Sequence, residues 1–128
     1  IKHREPFRPF APAILAERAA DYFEGARPVP WMTEILPVRP ERRADIAAAV
    51  HVDGTGRLQT VGEGDAPRLH ALLRAFEART GVPALINTSF NVAGEPIVCS
   101  PDDACRCYRA AGLDALVLGD LWIAGDDR

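Results

Sequence analysis

Val82-Pro83-Ala84-Leu85-Ile86-Asn87-Thr88-Ser89-Phe90-Asn91-Val92-Ala93-Gly94-Glu95-Pro96 carries both asparagines of the chain, one of its two serines and a threonine within five residues, directly after an apolar run. Val82 to Ile86 follows a glycine and is long enough for a buried central strand, yet too short for a helix. Polar side chains begin where that strand should end. In open α/β sheets the carboxyl ends of strands form the ligand crevice, because the loops there leave the sheet and expose backbone N–H groups. Ser, Thr and Asn supply neutral donors and acceptors suited to phosphate or amide groups, and Gly94 allows close backbone approach. An ordinary Asx- or Ser/Thr-capped turn would use the same residues.

The composition sets the frame for that motif. A chain of 128 residues that is 48% hydrophobic and 26% charged is expected to form a single α/β domain with a proper core. No apolar run reaches membrane-spanning length and the start has no signal-peptide core, so the expected location is the cytoplasm and no membrane partner is expected. A net charge of -3 gives no bulk reason to expect nucleic acid. Fourteen arginines accompany one lysine, Lys2, and an ammonium and a guanidinium are not interchangeable at a phosphate. Cys99, Cys105 and Cys107 are expected as reduced thiols, and their spacing fits no zinc framework, so no metal site is assigned. The chain starts on Ile1 with no initiator Met, as expected of a piece excised from something longer.

In the opening segment Lys2, Arg4 and Arg8 stand at even spacing between prolines and aromatics. Extended backbone would project them to one side, either as a solvated basic edge or as an anion pocket with rigid walls. Ala11 to Leu15 predicts a strand, Ala16 to Phe23 a helix, and Trp31 to Val38 a further strand, with Met32 as core packing or as a soft wall beside a ligand. Asp53-Gly54 predicts a tight turn whose flanks form a hairpin, with Arg57 and Gln59, the one glutamine, on one face of its second strand. Pro67 to Arg79 reads as an amphipathic helix closed by Gly81. Ile97 to Cys99 predicts a short strand, and Ser100-Pro101-Asp102-Asp103 caps a helix running to about Ala111. Leu113 to Leu118 reads as a buried strand, with Trp122 to Ala124 finishing the sheet.

Three stretches, Lys2 to Pro12, His51 to Val61 and Asn87 to Val98, together resemble the C-terminal domain of the O-carbamoyltransferases of nodulation-factor and antibiotic tailoring. The likeness covers nearly the whole chain. That domain is similar to YrdC, so the resemblance implies a YrdC-like twisted mixed sheet flanked by helices; the YrdC pattern of Lys-X-Arg and Ser-X-Asn stands here as Lys2-His3-Arg4 and Ser89-Phe90-Asn91. It further implies binding of carbamoyl phosphate and ATP, with magnesium, and formation of carbamoyl-adenylate by attack of a carbamoyl oxygen on the α-phosphate. Lys2, Arg4 and Arg57 would hold phosphates with Arg8 close by, and Thr88, Ser89 and Asn91 would hydrogen-bond the phosphates or the carbamoyl amide. Met32 would line the nucleotide pocket, and Lys2, Arg57 and Ser89 would carry the catalysis. An ASKHA-type N-terminal domain of the same polypeptide, with its own iron site, would pass the carbamoyl group to a hydroxyl, and the face it covers could pair two copies into a homodimer. A YrdC-like RNA-binding module and a non-catalytic nucleotide-binding domain are the alternatives.

Overall fold

The computed structural model describes residues 9–124, so Lys2, Arg4 and Arg8 lie outside the described residues. Two compact units divide the chain, one spanning Pro9–Thr88 and the other, in its described part, residues 89–124.

The first unit is built around β1 (Ala11–Leu15), a strand buried at all five positions. A strand apolar on both faces needs neighbours on both edges and cover above and below, and β1 has both. It runs parallel to β3 (Thr55–Val61) on one side and antiparallel to β4 (Ala84–Asn87) on the other. Adding β2 (Glu34–Pro37) antiparallel to β3 gives the order β2-β3-β1-β4. On one face, Ile14, Leu58 and Ala84 pack with Tyr22, Phe23, Val29, Val38 and Ile46. Tyr22 comes from the short helix α1 (Ala19–Tyr22), and its hydroxyl donates to Asp45 at 3.1 Å. On the other face, Ala13, Leu15 and Val61 pack under Leu73 of α2 (Pro67–Thr80). Gly81 ends α2 in the left-handed region at φ 77°, where a side chain would be strained, and its N–H donates to the Glu77 carbonyl.

Several expectations are corrected here. Among the described residues the run ending in Ile86 forms an edge strand, because β3 and β1 take the centre and β4 has β1 as its one neighbour; Ile86 is 53% exposed. The hairpin expected around Asp53-Gly54 is reduced to its turn: the Gly54 N–H donates to the His51 carbonyl at 2.9 Å and the His51 N–H to the Thr55 carbonyl at 2.7 Å, but the ladder of β3 runs with β2 and not with the residues before His51. Those preceding residues instead make a 3-10 turn over Ala47–Ala49.

The second unit contains α3 (Pro101–Ala111) and a two-stranded antiparallel sheet of β5 (Ala115–Leu118) and β6 (Leu121–Ala124). Ser100 caps α3 by accepting from the Asp103 N–H at 3.1 Å. Ile97 to Cys99 is irregular rather than a strand. β6 pairs with β5 and does not finish the larger sheet, and β5 buries Leu116 while Val117 stays 61% exposed. Mixed α/β structure is thus present, divided between two sheets. Among the described residues no helix is long and apolar enough to cross a membrane.

Candidate functional site

Residues alternate across β3, so Arg57, Gln59 and Val61 share the α2 side of the sheet. Val61 lies under the helix, whereas Arg57 at the other end of the strand is exposed. The register pairs Gln59 with Ala13 and Asn87 with Ala11, so the alanines of β1 lie between these two amide residues. With only methyl groups in between, the amides meet across the central strand: Asn87 Nδ2 donates to Gln59 Oε1 at 2.7 Å. Gln59 Nε2 donates in turn to the Pro30 carbonyl at 3.0 Å.

Pro30 is itself held against β3. The buried Val29 N–H donates to Thr60 Oγ1 at 2.7 Å, and the Thr60 N–H donates to the Val29 carbonyl at 3.0 Å. These bonds satisfy Thr60, the one buried polar residue among those described. Met32 follows two residues later with φ 54°, a left-handed conformation uncommon outside glycine, which turns the chain toward β2. Met32 is half-buried beside Trp31, which is 81% exposed. Of the expected residues in this unit, Arg57 therefore stands beside the amide pair, Met32 belongs to the loop that the pair clamps, and Thr88 is exposed just past Asn87.

Ser89 and Asn91 belong to the second unit, where the motif forms a closed loop. Ser89 Oγ donates to Asn91 Oδ1 at 2.7 Å, and Asn91 Nδ2 donates to the Glu95 carbonyl at 2.9 Å. The Val98 N–H donates to the Phe90 carbonyl at 3.1 Å and joins the loop ends. Gly94 sits inside at φ 83°, the conformation that only glycine takes without strain. Of the two readings open in the sequence, the structure thus shows the turn, built from the motif's own hydroxyl and amide groups.

Sequence reasoning singled out Gln59 and Asn87 separately but missed their pairing. The available signal was their rarity: the chain has one glutamine and two asparagines. A cavity of about 130 Å³ lies on the opposite face of the sheet, lined by Pro12, Asp45, Ile46, Ala84 and Ile86, and contains none of the expected site residues. His51 and Asp53 are turn residues: Thr55 Oγ1 donates to Asp53 at 2.7 Å and lies 3.0 Å from His51 Nδ1. The Thr55 hydroxyl, and then its amide, hold the Asp53 carboxyl below its ordinary value. Among the described residues no group of three or more His, Cys, Asp or Glu side chains could hold a metal ion.

Residues 1–124 match the family described as carbamoyltransferase C-terminus. The chain belongs to that family. Among its relatives, an uncharacterized protein of Synechocystis is 45% identical over 144 residues, covering 97% of this chain and 23% of that protein. Nodulation protein NolNO of Sinorhizobium fredii is 44% identical over 126 residues, covering 96% and 18%. The 3'-hydroxymethylcephem-O-carbamoyltransferase of Amycolatopsis lactamdurans is 37% identical over 122 residues, covering 95% and 23%. This carbamoyltransferase C-terminal domain therefore spans less than a quarter of each of these proteins, and the named O-carbamoyltransferase puts the family in the transferase class.

Proposed function

We propose that this domain binds carbamoyl phosphate and ATP with magnesium and forms carbamoyl-adenylate, from which a companion N-terminal domain carbamoylates a substrate hydroxyl. The observation that carries the reading is the face on which exposed Arg57 stands beside the Gln59–Asn87 amides, in a chain of the carbamoyltransferase family. A guanidinium beside fixed amides suits a small ligand with a phosphate at one end and an amide at the other.

In this mechanism water cleaves carbamoyl phosphate to carbamate and phosphate. A carbamate oxygen then attacks the α-phosphorus of ATP, and pyrophosphate leaves as the new P–O bond forms. The protein's contribution is alignment and charge neutralisation rather than covalent chemistry. In this reading Lys2, Arg4, Arg8 and Arg57 neutralise phosphates; Thr88, Ser89 and Asn91 hydrogen-bond the phosphates or the carbamoyl amide, Ser89 by turning its hydroxyl away from Asn91 Oδ1, to which it donates in the structure; and Met32 flanks the nucleotide. Iron belongs to the companion domain, and the reading calls for neither nucleic acid nor a membrane.

The test is pyrophosphate release by the full-length protein given carbamoyl phosphate, ATP and magnesium. Lys2→Ala and Ser89→Ala are expected to lower the rate at least a hundredfold, in the range typical of lost electrostatic stabilisation, without changing the melting temperature. Near-normal release in both variants overturns the reading.

A further inference from the structure

The Gln59–Asn87 bridge has a fixed polarity. A backbone carbonyl can only accept, so the bond to Pro30 requires Gln59 to turn its Nε2 that way. Its Oε1 then faces Asn87, and that oxygen can be satisfied only by the Asn87 NH2 group, as observed at 2.7 Å. Asn87 Oδ1 is thereby left as the unused end of the relay, with no hydrogen-bond donor among the described residues. Asn87 is half-buried and its Oδ1 is not among the buried side-chain atoms without a partner, so this acceptor is held in place yet open to solvent, where a ligand that brings its own N–H can reach it.

Arg57 lies in the adjoining position. Ala11 pairs with Asn87 on one side, and the offset that pairs Ala13 with Gln59 sets Arg57 beside Ala11 on the other. Two interstrand spacings, about 10 Å, separate the Arg57 and Asn87 backbones, a gap that their side chains and a small ligand can fill.

We infer that Asn87 Oδ1 accepts a hydrogen bond from the NH2 of a carbamoyl group whose phosphate lies toward Arg57, and that Gln59 is the positioning residue that holds Asn87 in this orientation. The pair selects a carbamoyl group over an acyl group of the same shape. This rests on the carbamoyl phosphate reading above and names the residues that would give it specificity. Acetyl phosphate has a methyl group where carbamoyl phosphate has NH2, so it would leave Oδ1 unpaired, and a site built around a hydrogen bond rejects an analogue that cannot make it.

The experiment is isothermal titration of the full-length protein with carbamoyl phosphate and, separately, acetyl phosphate. The wild type is expected to prefer carbamoyl phosphate by about tenfold or more. Asn87→Leu removes the acceptor at similar volume, and Gln59→Met removes the relay at similar length. In both, the preference is expected to fall toward one through loss of carbamoyl phosphate affinity, with acetyl phosphate binding unchanged. A purely structural role would lower the melting temperature without moving this ratio. A folded Asn87→Leu protein with the wild-type preference overturns the inference, and a folded Gln59→Met protein that keeps it overturns the positioning role. Should either variant fail to fold, Asn87→Ala and Gln59→Ala are read by the same criterion. A wild type that binds both phosphates equally overturns amide recognition and leaves the carbamoyl phosphate reading standing; a wild type that binds neither overturns both.

Discussion

Asp103 takes part in two sets of contacts at the start of α3. Its N–H donates to Ser100 Oγ at 3.1 Å, while its carboxylate accepts from the Cys99 N–H at 3.3 Å and pairs with Arg106. The Ser100 hydroxyl, then Arg106, then the Cys99 amide hold the carboxyl below its usual value of 3.8. A carboxyl depressed in the folded state stabilises it above the ordinary aspartate range, and that contribution is lost as the pH falls through the lowered value. The amides at the start of α3 should therefore lose exchange protection below about pH 4. Ser100→Ala should cost about 1 kcal/mol in urea titrations at neutral pH and flatten this acid dependence. Ser100-Pro101-Asp102-Asp103 was legible as a helix start because a cap is made by residues three apart. The Gln59–Asn87 bond was not, because it depends on which strand lies between β3 and β4 and on that strand presenting only methyl groups.

At the scale of elements, period and punctuation located β1, α2 and α3, while pairing escaped the sequence. An Asp-Gly turn signals a reversal of direction but not which strands flank it. β3 found its antiparallel neighbour in β2, with Leu36 opposite Gly56. A Cβ there would meet Phe23 at 3.1 Å and both the Ala49 carbonyl and Val38 at 3.2 Å, so the glycine lets β3 settle tightly against the layer that α1 and the 3-10 turn supply. The apolar positions Leu69, Leu72, Leu73 and Phe76 shared one face on paper, yet Leu73 alone among them is fully buried and Leu72 is 55% exposed. Leu73→Ala should accordingly cost about 2–5 kcal/mol, and Leu72→Ala should stay within about 0.5 kcal/mol. Equilibrium urea unfolding of the two variants distinguishes these values.

Across the whole molecule, the described residues of the two units differ in how much they bury. Residues of Pro9–Thr88 form both core clusters, whereas β5 and β6 together bury Leu116 alone and leave Val117, Leu121 and Trp122 exposed. Native-state hydrogen exchange should therefore show the slowest amides in β1 and β3 and much faster exchange in β5 and β6. Equal protection in both sheets would contradict that ranking. Mixed α/β character was legible from the alternation of apolar runs and helical patterns, but two sheets were not, because each run was counted as a member of one. The position of β1 also bears on how the chain is made. It is the first of the four strands to be synthesised, yet it takes its ladder partners from β3 and β4, whose residues Gln59 and Asn87 come much later. At roughly 5–20 residues per second on the ribosome, Ala11–Leu15 waits several seconds for its second neighbour. Until β3 emerges that five-residue apolar segment has no strand of this sheet beside it, and after β3 has joined it one edge stays open, so the sheet can close only in a late step that brings distant parts of the nascent chain together.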